Sequence, residues 1–380
     1  MSESLTHTDN ATLPFEILGH VFSYVADGHP IYLRHVFFVC RSWYNAVRYH
    51  STLWANIRFD SVVCNHFDLY TGFSISLSEN YLRSCLAFSA TAPLDVTLDS
   101  SFHLLLLRKE SVQCIQNNIP LIIRILSGEG GEHASRWRSF NWTIGNDRQD
   151  RINESLSLLP QALPYLQTLR MHSFSWDTSS RPKFPRCPRL TTVEIYQNND
   201  GGEHPLHNDD YLRVKELSLG NNVIWIFNDL VFLSLFRNIL HLTLYCTSRA
   251  PFFTRDASVA GHGSVSLVHL RTLSLKGNVP QIAVTALNTP SLKEVCFNHP
   301  GSFQKLCCAP FARDVDTFYV TLPRVDGMTQ YSEELECLLE SSPAVTRVYV
   351  PQWLFLRLET SGFERDAKMK GVTVICRGQE

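Results

Sequence analysis

The chain has 380 residues, 44% hydrophobic, 18% charged and 11% aromatic, with a formal net charge of −2. That length exceeds what one compact core usually organises, so two domains or an extended repeat array are expected. A nearly neutral chain is not suited to broad electrostatic binding of nucleic acid or of an anionic membrane, so its partners must be recognised by local shape and local charge.

The first ten residues are polar and show no basic start followed by an apolar run, so no secretory leader is expected. Residues 11–58 read as a small helical module. Thr12 is a plausible cap before Pro14, and Ile17, Leu18, Val21 and Phe22 follow at helical spacing. Asp27-Gly28-His29-Pro30 breaks the pattern. A second helical stripe follows, made of Leu33, Val36, Phe37, Cys40, Trp43, Tyr44 and Val47, and a third short unit carries Leu53, Trp54 and Ile57. Residues 59–92 read as a helical linker or cap, with a helix expected from Glu79 to Phe88.

From residue 93 to 380 the rhythm changes to an apolar triplet of spacing three then two. Its clear copies are Leu166-Leu169-Met171, Leu190-Val193-Ile195, Val214-Leu217-Leu219 and Ile239-Leu242-Leu244. Four more follow: Leu270-Leu273-Leu275, Leu292-Val295-Phe297, Val315-Phe318-Val320 and Val345-Val348-Val350. Rougher early copies are Trp137-Phe140-Trp142 and Val96-Leu98. Most intervals fall within the range of roughly 20–29 residues typical of leucine-rich repeats. Helix-like runs separate the triplets: 156–163, 282–287, 335–339 and 353–358. The expected fold is therefore α/β: a three-helix module, then a leucine-rich-repeat-like solenoid with a curved parallel β-sheet. The most apolar run, 223–236, is too short to span a bilayer, is interrupted by Asn228 and Asp229, and reads as a buried helix.

The 11 cysteines, between Cys40 and Cys376, form no CxxC pair. That spacing suits neither a zinc site nor a disulfide framework; it fits reduced thiols in a cytoplasmic or nuclear protein, and Cys307-Cys308 reads as a packing pair. No nucleophile elbow, HExxH or phosphate-loop motif is present, so no catalytic residue, cofactor or metal is assigned. The His- and Asp-rich run 203–210, interrupted by Pro205, reads as a solvated acidic loop. The run 181–189 contains Arg181, Lys183 and Arg186. It reads either as a solvated connection or as a cationic rim for an acidic or phosphorylated substrate segment. Trp142, Phe174, Trp176 and Tyr196, in or beside the strands, are candidates for a concave substrate face or for the core.

Leu13-Pro14-Phe15-Glu16-Ile17-Leu18, Val39-Cys40-Arg41-Ser42-Trp43 and Leu53-Trp54 together resemble the three landmarks of the F-box. Pro93-Leu94-Asp95-Val96-Thr97-Leu98 and Arg136-Trp137-Arg138-Ser139-Phe140 are similar to segments of the large fungal, basidiomycete-type F-box proteins with degenerate leucine-rich repeats. His29-Pro30-Ile31 and Phe37-Phe38 depart from that pattern. The resemblance implies a non-catalytic subunit of a ubiquitin ligase complex. Its F-box would dock on a SKP-family adaptor, and through it on a cullin, while the repeats hold a protein substrate. A ligase-independent interaction scaffold is the alternative. By motif position, Leu13, Pro14, Ile17 and Leu18 meet the adaptor, helped by Val36, Val39, Cys40, Trp43 and Trp54. About half of these are expected to fill the module's own core, Trp43 and Leu33 foremost.

Overall fold

The computed structural model describes residues 13–64, 75–99, 109–143, 149–174, 184–197, 206–221, 232–246, 264–323, 331–361, 363, 367–368 and 370–377. The chain divides into two compact units, Met1–Phe140 and Asn141–Glu380.

In the first unit, Pro14 occupies the cap position (φ −50°, ψ 145°) ahead of helix α1 (Phe15–Ala26), where a ring-fixed φ is no hindrance. Thr12, the cap expected from the sequence, lies outside the described residues. The helix stops at Asp27, which takes φ 44° and donates its amide to the carbonyls of Ser23 and Tyr24. Gly28 continues the reversal at φ 73°.

The second expected helix is broken. Pro30–Phe38 forms a tighter 3-10 helix, Cys40 is extended (φ −161°), and helix α2 (Arg41–Tyr49) starts beyond it. Leu53 and Trp54 lie in a short 3-10 turn, Ser51–Trp54. Ile57 falls in a strand, β1 (Asn56–Phe59), that helical spacing did not suggest.

Helix α3 (Ile75–Phe88) begins four residues earlier than expected. Next come β2 (Leu94–Asp99), α4 (Lys109–Asn117), α5 (Ile119–Ser127) and β3 (Trp137–Thr143), which crosses the unit boundary. Strand β1 pairs in parallel with β2, Ile57 opposite Val96. Arg136 ties the unit together: its guanidinium donates to the Ala92 carbonyl at 2.9 and 3.1 Å and to Ser89 Oγ at 2.9 Å.

The second unit opens with α6 (Gln149–Ser157), β4 (Thr168–Phe174) and β5 (Thr192–Gln197). Its next elements are α7 (Asn208–Tyr211), β6 (Glu216–Asn221) and β7 (His241–Cys246). Strand β8 (Val265–Ser266) leaves the main sheet to pair with β10 (Leu287–Asn288). The rest of the order is β9 (Thr272–Gly277), α8 (Gln281–Thr285), β11 (Glu294–Phe297), α9 (Ser302–Cys307) and β12 (Thr317–Val320). The unit ends with α10 (Tyr331–Ser341), β13 (Arg347–Pro351), α11 (Gln352–Ser361) and β14 (Thr373–Arg377). The main sheet runs β4-β5-β6-β7-β9-β11-β12-β13-β14, and its strand pairs are parallel. The curvature expected of this sheet is not borne out: it is open and uncurled.

Every residue of the eight clear triplets is at most 5% exposed, so the triplets line one continuous inner face. A second device repeats with them. The carbonyls of Gln167, Thr191, Lys215, Leu240, Arg271, Lys293 and Asp316 each accept two consecutive amides from the next repeat. These carbonyls lie 24, 24, 25, 31, 22 and 23 residues apart, the same intervals as the apolar triplets. The side-chain period thus has a backbone counterpart, satisfying polar groups where each strand enters the sheet. Of the run 223–236, the part up to 231 lies outside the described residues, while Phe232, Leu233 and Phe236 are buried.

Candidate functional site

Helix α1 has two apolar faces. Leu18, Gly19, Phe22 and Ala26 point inward. Leu13, Ile17 and Val21 are 55%, 46% and 43% exposed, and Pro14 is exposed with them. Val39 and Cys40, at the break before α2, are exposed too. Water does not favour such a surface, and a partner that covers it gains roughly 25 cal/mol for each Å² of apolar area removed.

Three of the residues named by motif position fall on the core side, as expected for about half of that set. Leu18, Val36 and Trp54 are 3%, 5% and 4% exposed. Trp54 is held from three sides: its indole Nε1 donates to the Val47 carbonyl at 2.7 Å, Phe37 stacks on it at 5.8 Å, and Phe88 packs at 4.9 Å. A large ring with one polar atom is at home in a core only when that atom finds an acceptor, and the end of α2 supplies one. Trp43 is half-buried, its ring edge-on to Phe22 at 5.2 Å, and Leu33 is fully buried. Gly19 is needed for close approach, since a Cβ there would overlap the ring of His50, which also stacks on Phe15 at 6.0 Å.

His29 is the buried polar element of this module. Arg58 Nη1 donates to His29 Nε2 at 2.9 Å, while Nδ1 lies 3.7 Å from Asp60 Oδ2. Burial pulls the imidazole pKa below its ordinary value; the Arg58 charge pulls the same way and Asp60 opposes.

In the second unit, alternate strand residues face away from the triplets and form rows across the open face. Arg170 Nε pairs with Glu194 Oε2 at 3.0 Å, and His172 Nε2 lies 3.6 Å from Glu194 Oε1. The His172 ring packs on Tyr196 at 4.6 Å, and Tyr196 meets Tyr245 edge-on at 5.5 Å. Burial and the neighbouring Glu194 carboxylate push the Tyr196 phenol up to about 12, so it stays protonated.

The residues proposed from sequence to touch substrate are dispersed. Arg181, Lys183 and Trp176 lie outside the described residues. Arg186 is exposed, and its backbone bridges to Ala162. Trp142 is fully buried, which removes it from the candidate substrate face and leaves its core reading: it belongs to a triplet and faces inward. Phe174 ends β4. Among the described residues of this set, Tyr196 is placed on the open face.

Within the acidic run, 203–205 lies outside the described residues. Asp210 turns inward, and its Oδ2 accepts the Cys187 amide at 3.0 Å. Among the described residues no cluster of three metal-ligating side chains forms. A cavity of about 540 Å³ is lined by Cys307, Cys308, Arg313, Glu340 and Ser341, among others. Burial, then a hydrogen bond with Cys337, pushes the Cys307 thiol up to about 11, which disfavours the nucleophilic thiolate.

Residues 11–60 match the F-box-like family. The chain carries an F-box-like domain. No curated protein matches the chain. F-box domains generally bind SKP-type adaptors, and the exposed side of α1 in this F-box-like domain is a surface suited to such a contact.

Proposed function

We propose that the chain is the substrate-receptor subunit of an SKP–cullin–F-box ubiquitin ligase. The observation that carries this reading is the F-box-like match at residues 11–60 on a module whose first helix shows Leu13, Pro14, Ile17 and Val21 to solvent. In this reading those residues, with Val39 and Cys40, meet the adaptor, and Leu18, Val36, Trp43 and Trp54 hold them in position from beneath. Large apolar anchors seated in dry pockets dominate such contacts, so Leu13 and Ile17 outrank any charge on this face.

The second unit is read as a leucine-rich-repeat-like array that holds a protein substrate. The chain's contribution is then proximity. Holding a substrate lysine near an activated ubiquitin raises effective concentration without a catalytic group on this chain. The work is done in the cytoplasm or nucleus.

The test is co-purification of the full-length chain with a SKP-family adaptor and a cullin. Capture of both, lost in Leu13→Ala/Pro14→Ala, supports the reading. Absence of adaptor binding, identical in that variant, overturns it. Adaptor without cullin favours the ligase-independent scaffold.

A further inference from the structure

The open face of the second unit carries a lane of small side chains bounded by larger ones. Ser218, Thr243, Ser274 and Cys296 stand side by side on β6, β7, β9 and β11, in direct register. One flank is the row Glu216, His241, Thr272 and Glu294, again in register. The other flank is Tyr245 and Lys276, preceded by the Tyr196 ring, which lies across Gly220. The lane is closed at one end by Glu194 in its pair with Arg170, and at the other by Tyr319 stacked on Tyr349 at 4.7 Å and 10°.

Its dimensions follow from sheet geometry. Glu194 on β5 and Tyr319 on β12 are five strand steps apart, about 24 Å at roughly 4.8 Å per step. An extended chain covers that distance in about seven residues. Charge then selects among peptides. Neither Glu216 nor Glu294 has an ion-pair partner among the described residues; Glu216 only accepts from Thr192 Oγ1 at 3.2 Å. The carboxylates stand three strand steps apart, about 14 Å, which is about four residues of extended chain. Residues at i and i+4 of an extended peptide project to the same side.

We infer that this lane binds an extended segment of the substrate in which two basic residues are spaced i and i+4, one facing Glu216 and the other Glu294. The inference rests on the substrate-receptor reading and narrows it to a substrate class. Lys276, on the opposite flank, excludes a uniformly basic segment and faces neutral or acidic side chains of the same peptide.

The experiment uses the full-length chain and fluorescent seven-residue peptides in a Ser/Thr background. One peptide has Lys at i and i+4, an isomer of equal charge has Lys at i and i+1, and a third has Glu at i and i+4. The expected result is at least tenfold tighter binding of the i, i+4 basic peptide than of its isomer. The double variant Glu216→Lys/Glu294→Lys, at one exposed and one half-buried position, should invert the preference toward the i, i+4 acidic peptide, an exchange that loss of structure could not produce. Equal binding of the two basic isomers, no binding of either, or no inversion overturns the inference. Adaptor capture is scored in parallel. If the adaptor binds and the peptides do not discriminate, the lane falls and the receptor reading stands; if the peptides discriminate and the adaptor never binds, the reverse holds.

Discussion

Tyr196 on β5 lies over Gly220 on β6 and so reaches Tyr245 two strands away, with ring centroids 5.5 Å apart. A Cβ at Gly220 would overlap the Tyr196 ring, so the glycine permits a contact that the register alone would place out of reach. Gly220→Ala should displace the ring and cost about 1–3 kcal/mol by overpacking. In a Tyr196→Ala background the same change should be close to neutral, because the clash has no partner. Urea unfolding of the four proteins of this cycle measures both effects.

Trp54 is the keystone of the N-terminal module. Trp54→Ala removes a 4%-exposed ring and its bond to the Val47 carbonyl. A loss of about 3–5 kcal/mol is expected, enough to unfold a module this small and abolish adaptor capture. Trp54→Phe keeps most of the packing but leaves the Val47 carbonyl without its indole donor, at a cost of about 1–3 kcal/mol. Circular dichroism against denaturant separates the two variants.

The outward side of α1 predicts the opposite pattern. Ile17→Ala and Val21→Ala remove exposed atoms, so stability should change by less than about 0.5 kcal/mol. Adaptor affinity should nevertheless fall by about tenfold for Ile17→Ala, measurable by calorimetry with purified adaptor.

His29 gives the module a pH dependence of definite sign. Its folded-state pKa lies below the ordinary value of 6.5, because burial and Arg58 disfavour the imidazolium. Its contribution to stability is therefore complete above about pH 6.5 and is lost as pH falls through the folded-state pKa. His29→Gln should flatten the acid limb of a melting-temperature profile relative to the parent chain. Unchanged limbs would show that His29 is not the group responsible.

The parallel sheet was legible because each triplet is written in residues whose only good place is an interior. Leu166, Leu169 and Met171 are wholly buried, and the helices at 331–341 and 352–361 cover the runs expected to be helical. What the sequence concealed is where apolar periodicity has two meanings. On α1 the positions 17, 18, 21 and 22 look like one stripe, yet Leu18 and Phe22 turn inward while Ile17 and Val21 turn outward. Hydrophobicity alone does not separate a core face from a docking face. Similarly, the stripe from Leu33 to Val47 hid the extended Cys40 that interrupts it, and Ile57 continued a helical rhythm while belonging to a strand. On the second unit, the lane of small residues was invisible because Ser218, Thr243, Ser274 and Cys296 become neighbours only once the register is known.

A helix that is greasy on both sides is an uncomfortable tenant of water. Alone at high concentration, the chain should pair with copies of itself through Leu13, Ile17 and Val21, and co-expression with a covering partner should restore a monodisperse preparation. Until that outer helix face is covered, the chain displays a contiguous apolar surface open to unspecific association.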